Sequence, residues 1–79
     1  MFTVQRKDVI YGMKITLKAA RVNKGYTLEE AAKMLGITRG TLQNYEHGVT
    51  FPNGQTIEKM LKLYGAEYDD INFLPKNHA

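Results

Sequence analysis

The sequence predicts an all-α domain of five short helices, preceded by an N-terminal strand or arm, and three observations carry that reading. Gly25, Gly36, Gly48, Gly54 and Gly65 cut the chain into segments of about ten residues, a length that suits short helices. Three of these segments open on a threonine able to accept a hydrogen bond from the first-turn amides, which is the role of an N-cap. Within the segments, apolar residues recur three and four positions apart and so share one helical face.

The first helix begins at Thr16 and stops at Gly25, with Leu17, Ala20, Arg21 and Lys24 at helical spacing. The second starts at Thr27, carries Glu29 and Glu30 in its first turn, where the helix dipole favours acids, and ends at Gly36. Leu28, Ala31, Ala32 and Leu35 line one side of it at about 100° per residue. Thr38 caps a third helix running to His47. Thr41, Leu42 and Tyr45 take one side of that helix, while Arg39, Gly40, Gln43, Asn44 and His47 take the other. Val49 to Gln55 reads as a loop, with Pro52 and Asn53-Gly54 as turn residues. Ile57, Met60, Leu61 and Tyr64 stripe a fourth helix. A fifth is expected from Tyr68 to Leu74, acidic at its start and stopped before Pro75.

Residues 1–12 break this pattern. Phe2, Val4, Val9, Ile10 and Tyr11 favour a strand, which either pairs with a second copy or leaves a loose arm, the usual state of a terminus. The domain proper is therefore placed at 13–75, with 76–79 as a tail.

Composition narrows the function. A chain of 79 residues supports one domain with one modest core. It has no cysteine, so neither disulfides nor a thiolate metal site can brace it, and a reducing cytoplasm suits it. No stretch is apolar for long enough to cross a bilayer, and no signal-peptide pattern opens the chain. The charge is asymmetric: residues 1–45 hold eight Lys/Arg against three Asp/Glu, residues 46–79 three against five. A cationic front half fits a polyanionic partner. Catalysis finds little support. His47 and His78 are the only histidines and share no helical spacing, and Asp69 and Asp70 are adjacent, so on a helix they point apart. No phosphate-cradling glycine loop or metal-ligand spacing is present, so no enzyme activity, cofactor or metal is expected.

The informative stretch runs from Leu28 to His47. Two helices joined by a turn of three residues must cross steeply and closely. Ala32 lets the second helix approach, Gly36 can take the positive φ of the sharp turn, and Ile37, Leu42 and Tyr45 fill the angle. This is helix-turn-helix geometry, which pushes the second helix outward to where it can enter a DNA major groove. Arg39, Gln43 and Asn44 would elsewhere be an ordinary solvated face; in this setting readout is the better reading. Arginine offers a fork to guanine O6 and N7, and asparagine or glutamine offers one to adenine N6 and N7. Gly40, without a side chain, can contribute only close approach. Thr27 and Thr41 sit where helix N-termini can meet phosphates. Phe51 serves equally well as an exposed interface residue or as a cap on the core beneath the loop.

From about Met13 to Pro75 the chain resembles the Cro/repressor-like (XRE) helix-turn-helix regulators of phages and bacteria. The resemblance rests on Leu17-Lys18-Ala19-Ala20-Arg21, Gly25-Tyr26-Thr27-Leu28-Glu29-Glu30-Ala31-Ala32, Leu35-Gly36-Ile37-Thr38-Arg39, Leu42-Gln43-Asn44-Tyr45-Glu46-His47-Gly48 and Pro52. It implies a compact lambda-repressor-like fold and a sequence-specific, double-stranded-DNA-binding repressor of transcription. That repressor would sit in the cytoplasm, associated with the nucleoid and with no membrane partner. Base reading falls to Arg39, Gly40, Gln43 and Asn44. A homodimer on a two-fold operator is expected, because one small helix reads few base pairs. Its surface would lie near Tyr68, Ile71, Phe73 and Leu74, and any control beyond concentration would come from a protein regulator or proteolysis. The alternative is a helix-turn-helix interaction module, such as an antitoxin or an antirepressor-binding partner.

Two departures from the family pattern matter. Leu28 stands where relatives often carry a phosphate-clamping glutamine, and Val49-Thr50-Phe51 is uncharged where they often carry Lys or Arg. Phosphate contacts then lean on Lys14, Lys18, Lys24, Thr50, Asn53 and Gln55. The resemblance also implies a partly buried ion pair of Arg21 with Glu46, joining the first and third helices.

Overall fold

Four α-helices, one 3-10 turn and a parallel strand pair make up residues 14–73, the part of the chain that the computed structural model describes. The order is β1 (Ile15–Thr16), α1 (Leu17–Asn23), α2 (Leu28–Leu35), α3 (Arg39–His47), α4 (Gly54–Tyr64), the 3-10 turn (Tyr68–Asp70) and β2 (Ile71–Asn72). The arm expected at 1–12 and the tail at 76–79 lie outside the described residues, as do Met13, Leu74 and Pro75.

Side-chain caps set where the helices start. Thr16, Thr27 and Thr38 each accept a hydrogen bond from the amide three residues on, at 3.0, 3.0 and 3.1 Å. At α2 the cap is reciprocal, since Glu30 Oε1 accepts from the Thr27 amide at 2.9 Å and closes a capping box. Asn53 caps α4, its Oδ1 accepting from the Thr56 amide at 2.9 Å. The residues read as a loop from Val49 to Gln55 therefore stop at Asn53, and Gly54 and Gln55 belong to α4.

The predicted fifth helix is not there. Tyr68–Asp70 completes a single 3-10 turn, and Ile71 then turns extended, with φ −117° and ψ 132°. β2 runs parallel to β1, with Ile15 opposite Ile71 and Thr16 opposite Asn72. Ile71 and Phe73 are both buried with Asn72 less so between them, an alternation of period two that belongs to a strand rather than a helix. The strand at Ile15–Thr16 was not expected, and its partner is in the same chain.

The core gathers Leu17 and Ala20 of α1, Ala31, Ala32 and Leu35 of α2, Leu42 of α3, Met60 and Tyr64 of α4, then Ile71 and Phe73. Each helix supplies the residues that its sequence spacing placed on one face. None of the described helices is long and apolar enough to cross a membrane.

Tyr64 is the polar exception in this core. It is 4% exposed, and its hydroxyl has no hydrogen-bond partner among the described residues. Burial, reinforced by the charge of Glu46, pushes its phenol up to about 12. A folded-state value above the ordinary one of about 10 means that its contribution to stability is full below about pH 10 and is lost as pH rises towards about 12. Tyr64→Phe should therefore blunt the alkaline fall in melting temperature across that window. At neutral pH it should be neutral or stabilising by about 1 kcal/mol, because no buried hydroxyl is left unpaired. An unchanged alkaline limb in the variant would assign the fall to other groups.

Candidate nucleic-acid interface

The position of α3 is fixed at both ends by groups that the sequence supplies locally. At its start, the chain leaves α2 through Gly36 at φ +76°, a left-handed conformation that L side chains rarely adopt. The Gly36 amide donates to the Lys33 carbonyl at 3.1 Å and the Ile37 amide to the Ala32 carbonyl at 3.0 Å, closing a Schellman turn. Thr38 then caps α3. Ala31 and Ala32, 0% and 2% exposed, are small enough for α3 to pack closely on α2.

At its far end, α3 is tied to α1 by charge. Arg21 Nε donates to Glu46 Oε2 at 2.6 Å and Nη2 donates to Oε1 at 3.1 Å, while Nη1 reaches the Tyr26 carbonyl at 2.9 Å. The two side chains are 9% and 4% exposed. Three guanidinium nitrogens thus engage α3 and the α1–α2 turn at once, a fork geometry that lysine lacks. The hydrogen bond with Glu46 raises the Arg21 pKa above its ordinary value, against the opposing pull of burial. Beyond His47, Gly48 reverses the chain and the Val49 amide donates to the Asn44 carbonyl at 2.9 Å.

Held this way, α3 turns Leu42 and Glu46 inward, with Thr41 and Tyr45 half-buried, and leaves Arg39, Gly40, Gln43, Asn44 and His47 exposed. Glu46 is the one acid of α3, so its outward face carries a guanidinium, two carboxamides and no carboxylate. The side chains of Arg39, Gln43 and Asn44 make no hydrogen bond or ion pair with any described residue. Their donors and acceptors are available to a partner.

The residues assigned to phosphate are not all placed alike. Thr50, Asn53 and Gln55 are exposed along the segment that follows α3 into α4. Thr41 Oγ1 accepts from the Thr38 hydroxyl at 2.8 Å, leaving its own proton free to donate. The amide and the hydroxyl oxygen of Thr27 are both engaged with Glu30, so only its hydroxyl proton remains to offer, beside the exposed acids Glu29 and Glu30. Lys18 is exposed on α1. The Lys24 side chain lies over Gly65, at the C-terminal end of α4, where a cation complements the helix dipole. Lys14 lines a shallow hollow of about 140 Å³ together with Phe51, Tyr68, Ile71, Asn72 and Phe73.

That hollow marks an apolar surface which the sequence reading placed only in part. Phe73 stacks on Tyr68 with ring centres 5.3 Å apart and meets Phe51 edge-on at 6.1 Å. Phe51 and Tyr68 remain 50% and 51% exposed, and Val49 is 68% exposed. Phe51 therefore both caps the core and faces solvent. Ile71 and Phe73, read as dimer-surface residues, are 2% and 5% exposed and belong to the core. Among the described residues no cluster of His, Asp or Glu could hold a metal ion.

The family model described as helix-turn-helix matches residues 17–71. Among curated proteins, the HTH-type transcriptional regulator ImmR of Bacillus subtilis is 42% identical over 53 residues, 67% of this chain and 42% of that protein. The SPbeta prophage-derived uncharacterized HTH-type transcriptional regulator YonR, also of Bacillus subtilis, is 38% identical over 63 residues, 80% of this chain and 56% of that protein. A putative HTH-type transcriptional regulatory protein of Saccharolobus islandicus is 36% identical over 55 residues, 70% of this chain and 17% of that protein. The chain thus spans 42% and 56% of the two Bacillus proteins. No solved structure gives a significant match. The matched span takes in all four helices, the glycine-closed turn and the Arg21–Glu46 tie, and on that match the chain belongs to the helix-turn-helix family, of the XRE type.

Proposed function

We propose that the chain is a sequence-specific double-stranded-DNA-binding repressor of transcription that reads the major groove with α3. The observation that carries this reading is the outward face of α3, where Arg39, Gln43 and Asn44 stand exposed, without a hydrogen bond or ion pair to any described residue, on a helix fixed at both ends. Arg39 would fork onto guanine, Gln43 and Asn44 onto adenine, and Gly40 would let the backbone come close. Thr41, Thr50, Asn53, Gln55 and Lys18 would hold phosphates, with Thr27 and Lys14 in lesser roles. The regulator names of the Bacillus relatives support transcription as the process.

One α3 reads only a few base pairs, so a homodimer on a two-fold site completes the reading. Its seam is assigned to the exposed aromatic surface of Phe51 and Tyr68, beside Lys14. Two copies facing each other there can cover apolar rings. Selection of bound sites from a pool of random duplexes tests the reading: one enriched motif with two-fold symmetry is expected, and no enrichment at low salt would overturn it.

Electrostatics give a separate test. Arg39 is the one Lys or Arg of α3, so the slope of log affinity against log salt should be shallow for a DNA-binding domain. Lys18→Ala should weaken binding to every duplex alike and reduce that slope by about 1. A changed preference at one base pair would remove Lys18 from the backbone set.

A further inference from the structure

Six glycines fall among the described residues, and they divide into two kinds. Gly25, Gly36, Gly48 and Gly65 have positive φ, so the backbone itself asks for glycine there. Gly40 and Gly54 do not. Both lie in the first turn of a helix, in α3 and α4, with ordinary backbone angles, and a Cβ built on either meets no atom of the described residues within 4 Å. Both are exposed. Glycine in a helix is less favourable than alanine, because it gives up more backbone freedom on folding. Neither the fold nor its packing accounts for the missing side chain at these two positions.

We infer that Gly40 and Gly54 are bare because the bound duplex occupies the volume their side chains would take, Gly40 against the groove and Gly54 against the sugar–phosphate strand. This deepens the DNA-binding reading and rests on it. Gly40 lies between Arg39 and Thr41, beside the side chains assigned to bases, so its bareness sets how deeply α3 enters the groove. Specificity at that point is steric: a base pair is accepted or refused by its bulk rather than by a hydrogen bond. Gly54 lies between Asn53 and Gln55, both exposed and both assigned to phosphate, so its bareness sets how closely the backbone approaches. Gly54 is a contact residue that the sequence reading did not include.

The test uses the whole chain and the duplex that the unaltered protein enriches from a random pool. Gly40→Ala should raise the melting temperature by about 2–5 °C, since helix propensity improves and nothing clashes. It should also weaken binding to the enriched duplex about tenfold or more and shift the preference at one base pair per half-site. Gly54→Ala should likewise leave the fold as stable or more so, but lower affinity for all duplexes in equal proportion. A Gly40→Ala protein that is more stable and binds the same duplex equally well overturns the steric role. A lower melting temperature in either variant also overturns it, since the fold would then need that glycine. If no duplex is enriched, the DNA-binding reading fails first and the inference falls with it.

Discussion

Glu46→Ala is expected to lower the unfolding free energy by about 3–5 kcal/mol, the range for removing one member of a buried ion pair. The side chains of Arg21 and Glu46 are 9% and 4% exposed, so deletion leaves a guanidinium in the interior with only the Tyr26 carbonyl as partner. Small domains sit near the low end of a stability range of about 5–15 kcal/mol, so a loss of this size would leave about 0–2 kcal/mol and a measurable unfolded fraction. Arg21→Lys should also lose stability, since an ammonium cannot span both carboxylate oxygens and the carbonyl together. Replacing both residues by apolar ones of similar volume, as in Arg21→Met with Glu46→Leu, should recover most of the loss. Urea unfolding of the three variants measures all of this. A loss of about 1 kcal/mol or less for Glu46→Ala would mean that the pair behaves as an exposed one, and α3 would need another anchor.

Arg39→Ala is expected to weaken binding to the enriched duplex by about 1–3 kcal/mol, or about 5- to 150-fold. Arg39 opens α3 on its exposed side and makes no hydrogen bond or ion pair with a described residue, so its removal should leave the fold intact. The informative readout is the pattern of the loss. A fork onto guanine predicts relaxed preference at one base pair per half-site and unchanged preference elsewhere. An equal loss on every sequence would place Arg39 on a phosphate and leave direct readout to Gln43 and Asn44.

Much of the fold was legible because its signals are local. Thr16, Thr27 and Thr38 cap where the sequence placed them, and Gly36 and Gly48 close their helices at positive φ. Those features act within four or five residues, so a single sequence displays them. The C-terminal strand was not legible in the same way. Tyr68-Asp69-Asp70 has the composition of a helix start, and only pairing with Ile15, far away in the chain, decides that Ile71 runs extended. The apolar, polar, apolar alternation of Ile71, Asn72 and Phe73 was the signal in the sequence, and three residues are too few to separate it from helical spacing. Gly54 and Gln55 were misplaced for a related reason: Asn-Gly is a strong turn signal, and the same asparagine is an equally good N-cap for a helix that starts at Gly54.

For the interface, spacing alone was enough to put Arg39, Gly40, Gln43, Asn44 and His47 on one face of α3. It could not pair Arg21 with Glu46, which lie 25 residues apart in sequence. That expectation came from the family resemblance. Nor could composition separate cations by surface. Lys14 lies beside the aromatic hollow and Lys24 over the end of α4, placements set by how β1, the 3-10 turn and α4 pack.

Amide chemical-shift mapping with the enriched duplex measures directly which surface meets DNA. The expected result is perturbation concentrated at Thr38 to Asn44, continuing through Thr50 and Asn53 to Gln55, and strengthening as salt is lowered. Perturbation confined to Phe51, Tyr68 and the neighbouring aromatic surface, with the Arg39–Asn44 face silent, would contradict it.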